Sequence, residues 1–270
     1  MNILDSIRKR RSIRTFDGTG LRPEDAQKIL DFAERAENPY DISVTWKLLD
    51  AKKHGLSSPV IVGTDTYIAG KMRRVPHAEE AFGYTFEKIV LFAESLGIGT
   101  TWIAGTMNRE AFERAMAVSA DEVMPCVSPL GYPAEKMSLR ETMMRKGIKA
   151  DSRFDFEELF FEGSLDKPLS KSSAGKLLEA FEAVRLAPSA VNKQPWRGVC
   201  CEDKVHFYEK RNKGYVSKNG WDTQRIDVGI ALCHFELAAR ECGLDVSLEI
   251  ADPAVSVPEN MQYIATYLLK

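Results

Sequence analysis

The chain has almost no excess charge of either sign, with 37 Lys and Arg against 39 Asp and Glu in 270 residues. A protein devoted to nucleic acid usually needs a basic face to displace counterions, so that class is excluded apart from any local basic cluster. No apolar run approaches the roughly 18 to 20 residues that span a bilayer, which argues against a membrane protein. The opening residues MNILDSIRKRRSIRTF lack a hydrophobic stretch followed by a small-residue cleavage site, so a cytoplasmic location is expected. The cysteines are an odd set of five, with no CxxC pair and an adjacent pair at Cys200 and Cys201. That usage fits a reducing compartment and small buried thiols. His54, His77, His206 and His234 never fall in a metal-binding spacing, so no metal site is expected. The GxSxG elbow and the GxxxxGK[ST] loop are also missing, which removes the common sequence-readable hydrolases and NTPases. Gly97-Ile98-Gly99-Thr100-Thr101-Trp102 fails as a dinucleotide fingerprint, because Trp102 replaces the third glycine and the preceding residues have helical periodicity.

What is present is an ordinary globular composition, 44% hydrophobic, long enough for one large domain or two small ones. Periodicity predicts helices around Ile3 to Lys9, Pro23 to Ala36, Glu79 to Leu96 and Arg109 to Ala117. Strands are expected at Val60 to Val62, Thr101 to Ala104 and Met124 to Leu130. The pattern then recurs. FDG at Phe16 is answered by FEG at Phe161, Pro39 by Pro188 after similar helices, Trp46 by Trp196, and the helix from Gly83 to Gly97 by one from Gly229 to Gly243. Two amphipathic helices always look somewhat alike, but four ordered landmarks at nearly constant offset favour an internal duplication.

Two motifs carry chemistry. In an extended chain Arg10, Ser12 and Arg14 of RRSIRTF point the same way, and two guanidinium forks with a hydroxyl suit a phosphate dianion. A solvated basic strip or a nucleic-acid patch is the plainer alternative. In APSAVNKQPW, from Ala187 to Trp196, two prolines forbid a helix, and Ser189, Asn192 and Gln194 offer donors and acceptors on a stiff backbone. Such a loop suits a planar polar ring or a polyol; a capped turn before a strand is the alternative.

With SLGIGTTWIAG from Ser95 and LGYPAEK from Leu130, these motifs resemble the nitroreductase superfamily of flavoproteins over nearly the whole chain. The resemblance implies an α+β nitroreductase-like fold of two pseudo-symmetric halves, residues 1–163 and 164–270. Each half would have a small mixed or antiparallel sheet and flanking helices around a long central helix. It departs from typical members in order, since the two motifs lie far apart on opposite halves. The chain is similar to a rearranged group in which the dimer is folded into one chain.

The resemblance further implies that FMN is held by Arg10, Arg11, Ser12 and Arg14 at the phosphate, with Pro188, Ser189, Ala190 and Asn192 from the other half and assistance from Gln194. Ala104 and Gly105 would offer N–H groups to the flavin edge, Arg153 would join the phosphate site, and Lys52 would lie near the pyrimidine ring. No catalytic side chain is implied, because the cofactor carries the redox step. The implied chemistry is ping-pong: NADH or NADPH reduces the flavin, and a nitroaromatic, quinone or similar small acceptor reoxidises it. An FMN storage or sensor protein is the first alternative, and a basic-arm interaction module resting on Arg8 to Arg11 is the second.

The duplication sharpens the expectation to one FMN per chain. The FDG-to-FEG offset carries Arg10, Ser12 and Arg14 onto Asp155, Glu157 and Leu159, and the two carboxylates would repel a phosphate. The proline pairing carries Ser189 and Asn192 onto Tyr40 and Ser43. Each half keeps what the other has lost, so a monomer is possible.

Overall fold

The computed structural model describes residues 2–217 and 220–270. Its described residues divide into two compact units, Lys9–Ala150 and Asn2–Arg8 with Asp151–Lys270. The division lies before the FEG segment, whereas the resemblance placed it after Gly163. The reason is pairing: the strand that ends at Glu162 joins the second unit's sheet.

The chain opens with α1 (Ile3–Lys9), then α2 (Pro23–Arg35), whose Pro23 sits at the start where a missing N–H costs nothing. The first unit continues with β1 (Thr45–Asp50), the single turn α3 (Ala51–His54), β2 (Thr66–Arg73), α4 (Ala78–Ser95) and α5 (Arg109–Met116). It ends with β3 (Glu122–Val123), β4 (Val127–Leu130) and α6 (Leu139–Gly147). β2 is the spine of an antiparallel sheet, paired with β1 on one side and with β3 and β4 on the other.

Trp46 stands opposite Gly70 in the β1–β2 register, and its ring lies where a Gly70 side chain would be. That ring continues onto α4, 5.5 Å from Phe82 and 5.0 Å from Phe86, and Trp102 closes the group 4.6 Å from Phe86. Burying aromatic side chains of this size contributes about 1.5 to 3 kcal/mol each, which anchors α4 to the sheet. The predicted strands at Val60 to Val62 and Thr101 to Ala104 are instead single bridges, Thr15 to Val62 and Ile103 to Val127. The one at Met124 to Leu130 starts only at Val127, after Pro125, which has no N–H for a ladder.

The second unit holds α7 (Phe156–Leu159), β5 (Phe160–Glu162), α8 (Leu178–Leu186), β6 (Trp196–Cys201), β7 (Lys204–Lys210), α9 (Thr223–Glu241), β8 (Val246–Glu249) and β9 (Met261–Leu269). Its sheet runs β5-β6-β7-β9-β8, parallel only between β5 and β6. A chain of rings from Phe156 through Phe160, Phe181, Phe235 and Phe207 to Tyr267 joins α7, α8, α9 and the sheet. Asp155, onto which the repeat offset carries Arg10, caps α7 in a reciprocal box with Glu158, so this stretch is helical rather than extended. No described helix is long and apolar enough to cross a membrane.

Candidate functional site: a pinned arginine segment and a clamped amide loop

The segment after α1 is extended, as the alternating pattern predicts. The Ile13 N–H donates to the Thr100 carbonyl at 2.8 Å, the Phe16 N–H to Val62 at 2.8 Å, and the Val62 N–H returns to Arg14 at 3.0 Å. The Asp17 N–H reaches the Tyr132 carbonyl at 2.9 Å, and the Ala134 N–H reaches Thr15 at 3.1 Å. Glycines permit this approach. A Cβ on Gly131 would stand 2.8 Å from the Phe16 ring, and one on Gly63, itself at φ +86°, would overlap the Phe16 carbonyl.

Glu141 fixes the middle of the segment. Its oxygens accept the Arg14 N–H at 3.2 Å and the Thr15 hydroxyl at 2.8 Å, while the Ser138 N–H donates to Thr15 Oγ1 at 3.1 Å. Ser138-Leu139-Arg140-Glu141 is a helix-start signature, and Ser138 Oγ does accept the Glu141 N–H at 3.2 Å. The Glu141 side chain, however, serves the arginine segment instead of its own cap.

Among the predicted phosphate residues, Arg11 is exposed, Ser12 and Arg14 are half-buried and Arg10 is buried. Arg10 turns toward α4, with Nε 3.7 Å from Glu87 Oε1, and the other Glu87 oxygen accepts Trp102 Nε1–H at 3.0 Å. Burial lowers the pKa of both Arg10 and Arg14, opposed by Glu87 and Glu94 for the first and by Glu141 for the second. Arg145 on α6 presses both lower by like-charge repulsion, so three guanidinium groups share one field. Arg10 Nε and Arg14 Nη1 are buried with no hydrogen-bond partner among the described residues. Unsatisfied buried donors of this kind fit a phosphate and need an explanation if none binds. Sequence reasoning missed Glu141 and Arg145; the Ser138-to-Glu141 signature marks their helix.

Ala104 and Gly105 lie in the turn between the Ile103 bridge and α5. Arg109 staples this turn, donating from Nη2 to the Ala104 carbonyl at 3.0 Å and to Pro125 at 2.9 Å, and from Nη1 to Met124 at 2.6 Å. The Ala104 and Gly105 N–H groups donate to no described residue. Lys52 is exposed on α3 and ion-paired with Asp65 at 2.6 Å.

In the second unit the structure gathers Arg153, Asn192 and Gln194, which are far apart in sequence. Asn192 Nδ2 donates to the Ser152 carbonyl at 3.0 Å and its Oδ1 lies 3.5 Å from Arg153 Nη1. Gln194 is buried, with Oε1 accepting the Phe154 N–H at 3.0 Å and Nε2 donating to the Asn192 carbonyl at 3.3 Å. Ser189 Oγ accepts the Gln194 N–H at 2.9 Å, which leaves its own hydroxyl proton to donate. Pro188, Ser189 and Ala190 are half-buried. The amides of Asn192 and Gln194 therefore act as struts of the loop. They hold a costly backbone, since Val191, Asn192 and Gln194 all have positive φ, 50°, 56° and 47°. Each such residue costs of order 1 to 3 kcal/mol, and such strain is concentrated at functional sites.

The two sheets, the long helices and the pinned N-terminal segment define a nitroreductase-type α+β fold. The chain belongs to the family described as "Putative TM nitroreductase", whose model matches residues 2–239. A "putative nitroreductase" from Thermotoga maritima is 21% identical, with a TM-score of 0.65 over 100% of this chain and 93% of that one, a likeness in fold. A "Putative NADH dehydrogenase/NAD(P)H nitroreductase" from Bacteroides thetaiotaomicron is 22% identical over 51% of this chain and 90% of that one, with a TM-score of 0.43. No curated protein matches the chain.

Proposed function

We propose that this chain is an FMN-dependent NAD(P)H oxidoreductase of nitroreductase type, passing electrons to a nitroaromatic, a quinone or a similar small acceptor. The observation that carries the reading is that buried guanidinium nitrogens of Arg10 and Arg14 make no hydrogen bond among the described residues, on a backbone pinned by Glu141. A phosphate dianion satisfies both donors and relieves the repulsion from Arg145. Membership of a nitroreductase family points the same way.

In this reading Arg10, Ser12, Arg14 and Arg145 hold the phosphate, and the free N–H groups of Ala104 and Gly105 orient the ring edge. The family resemblance assigns further flavin contacts to Pro188, Ser189, Ala190 and Asn192, and Gln194 and Arg153 keep that loop in shape. Bound FMN supplies the redox chemistry, accepting hydride from NADH or NADPH and returning electrons to the acceptor. The chain's own part is binding and orientation, with no catalytic side chain. Arg109 contributes stiffness, because a stapled turn presents its donors without reorganisation.

Titrating apoprotein with FMN is expected to saturate at one flavin per chain, in a functional monomer; two per chain, or undiminished affinity in Asn192→Leu, overturns this arrangement. Anaerobic NADH or NADPH is expected to bleach the bound flavin, and a nitroaromatic or quinone to restore its colour. Failure to bind FMN refutes the proposal, and binding without bleaching makes the chain a flavin store or sensor.

A further inference from the structure

We propose that Asp227 is a positioning residue for the flavin loop, setting the turn at Ser189 to Asn192 through the Ala190 N–H. The proposal rests on the FMN reading above and adds a residue to it. Asp227 lies inside α9, 4% exposed, with both carboxylate oxygens 3.1 Å from the Ala190 nitrogen. A helix interior facing a core has no need of a carboxylate, and burying one is costly unless it is hydrogen-bonded. The Ala190 N–H is its one hydrogen-bond donor among the described residues.

What that bond holds is unusual. Ala190 directly precedes the two left-handed residues Val191 and Asn192, and the β-branched Val191 adopts φ 50° although its side chain is more than half exposed. Packing therefore does not force the turn. It is fixed from below by Asp227, from the side by Asn192 on Ser152, and at its exit by Ser189 Oγ on Gln194. Without Asp227 the turn loses the tie that precedes the strained pair, and Ser189 and Ala190 lose their placement.

The charges facing Asp227 also matter. Asp222 at the start of α9 and Glu209 on β7 both disfavour its ionisation, and burial does so more strongly, while the Ala190 N–H favours it. Arg211 and Arg225 act on Glu209, and Tyr215 feels Asp227 in turn. Ionised Asp227 accepts the N–H more strongly than the neutral acid, so the loop is tied more tightly as pH rises through its titration.

The test measures flavin dissociation from pH 6 to 9 for the full chain, Asp227→Asn, Asp227→Ala and Ala190→Pro. The last removes the N–H and leaves the carboxylate. Riboflavin is measured beside FMN, because it has no phosphate to titrate. Wild type is expected to bind riboflavin more tightly at high pH, and Asp227→Asn to lose that dependence while keeping most of the affinity. Asp227→Ala and Ala190→Pro are each expected to weaken both flavins about ten- to a hundredfold. Their combination is expected to be no worse than either alone. In apoprotein, amide exchange of the segment 188–194 is expected to speed up in Asp227→Ala with α9 unchanged. If wild type binds FMN and the variants match it in affinity, pH profile and exchange, Asp227 is only a buried acid and the inference is overturned. If wild type binds no flavin, the functional reading fails and this inference fails with it.

Discussion

Replacing Arg14 with Met separates binding from stability because the two are expected to move in opposite directions. Arg14 Nη1 is a buried donor with no partner, and leaving such a group unsatisfied costs about 1 to 3 kcal/mol. A methionine, shorter and without a donor, removes that cost. It gives up the attraction to the buried Glu141 carboxylate, about 1 kcal/mol, but keeps the two bonds that Glu141 accepts from the Arg14 N–H and the Thr15 hydroxyl. Apoprotein is therefore expected to gain roughly 1 kcal/mol, or about 2 to 4 °C in Tm. FMN binding loses a charge-assisted contact of about 1.5 to 3 kcal/mol, ten- to a hundredfold in Kd. Riboflavin, which lacks the phosphate, should be unaffected. Differential scanning fluorimetry of apoprotein and fluorescence titration with both flavins read the three quantities. A loss of apoprotein stability together with equal weakening of FMN and riboflavin would mean that Arg14 is a structural residue and the phosphate assignment is wrong.

Two further outcomes follow from residues of the two units. Glu209 is fully buried, and burial together with Asp222 pushes its pKa up to about 7 from 4.5. The fold holds this proton more tightly than the unfolded chain does, so stability is expected to fall by about 2 to 3 kcal/mol as pH rises from about 4.5 to 7. Urea unfolding across that range should show the slope in wild type and a flatter one in Glu209→Gln; parallel profiles would refute the assignment. Gly63→Ala places a side chain at φ +86° against the Phe16 carbonyl. It should cost more than about 3 kcal/mol in chemical denaturation, and a loss below about 1 kcal/mol would show that the segment is not seated as described.

Four helices of the first 120 residues were legible from their apolar periodicity: α1, α2, α4 and α5 begin and end within a residue of their expected limits. β1 and β2 escaped notice for a specific reason. β2 contains Gly70, which reads as a break but is small because Trp46 covers it. The runs at Val60 and Thr101 have strand composition, yet their partners are the arginine segment and a neighbouring strand end, so each makes one bridge. At the site, the extended path of the arginine segment was readable from its sequence. That Asn192 and Gln194 brace their own loop was not, because Ser152 and Phe154 lie far away in sequence. Asp227 was equally hidden: an aspartate within a long helix carries no local signal, and its meaning comes from Ala190 alone.

The seating of the arginine segment also dictates when it can form. Residues 12–17 pair with Val62, Thr100 and Tyr132, so the earliest part of the first unit to be synthesised waits for nearly the last. Loop closure over such separations is entropically slow, and contacts of this kind form late on a folding pathway. During translation, the Arg14 donor has no fixed direction until the chain through Ala134 has left the ribosome and Glu141 has followed it. On the proposed reading, phosphate affinity is a product of completed folding, and flavin capture by a growing chain would report the moment at which the first unit closes.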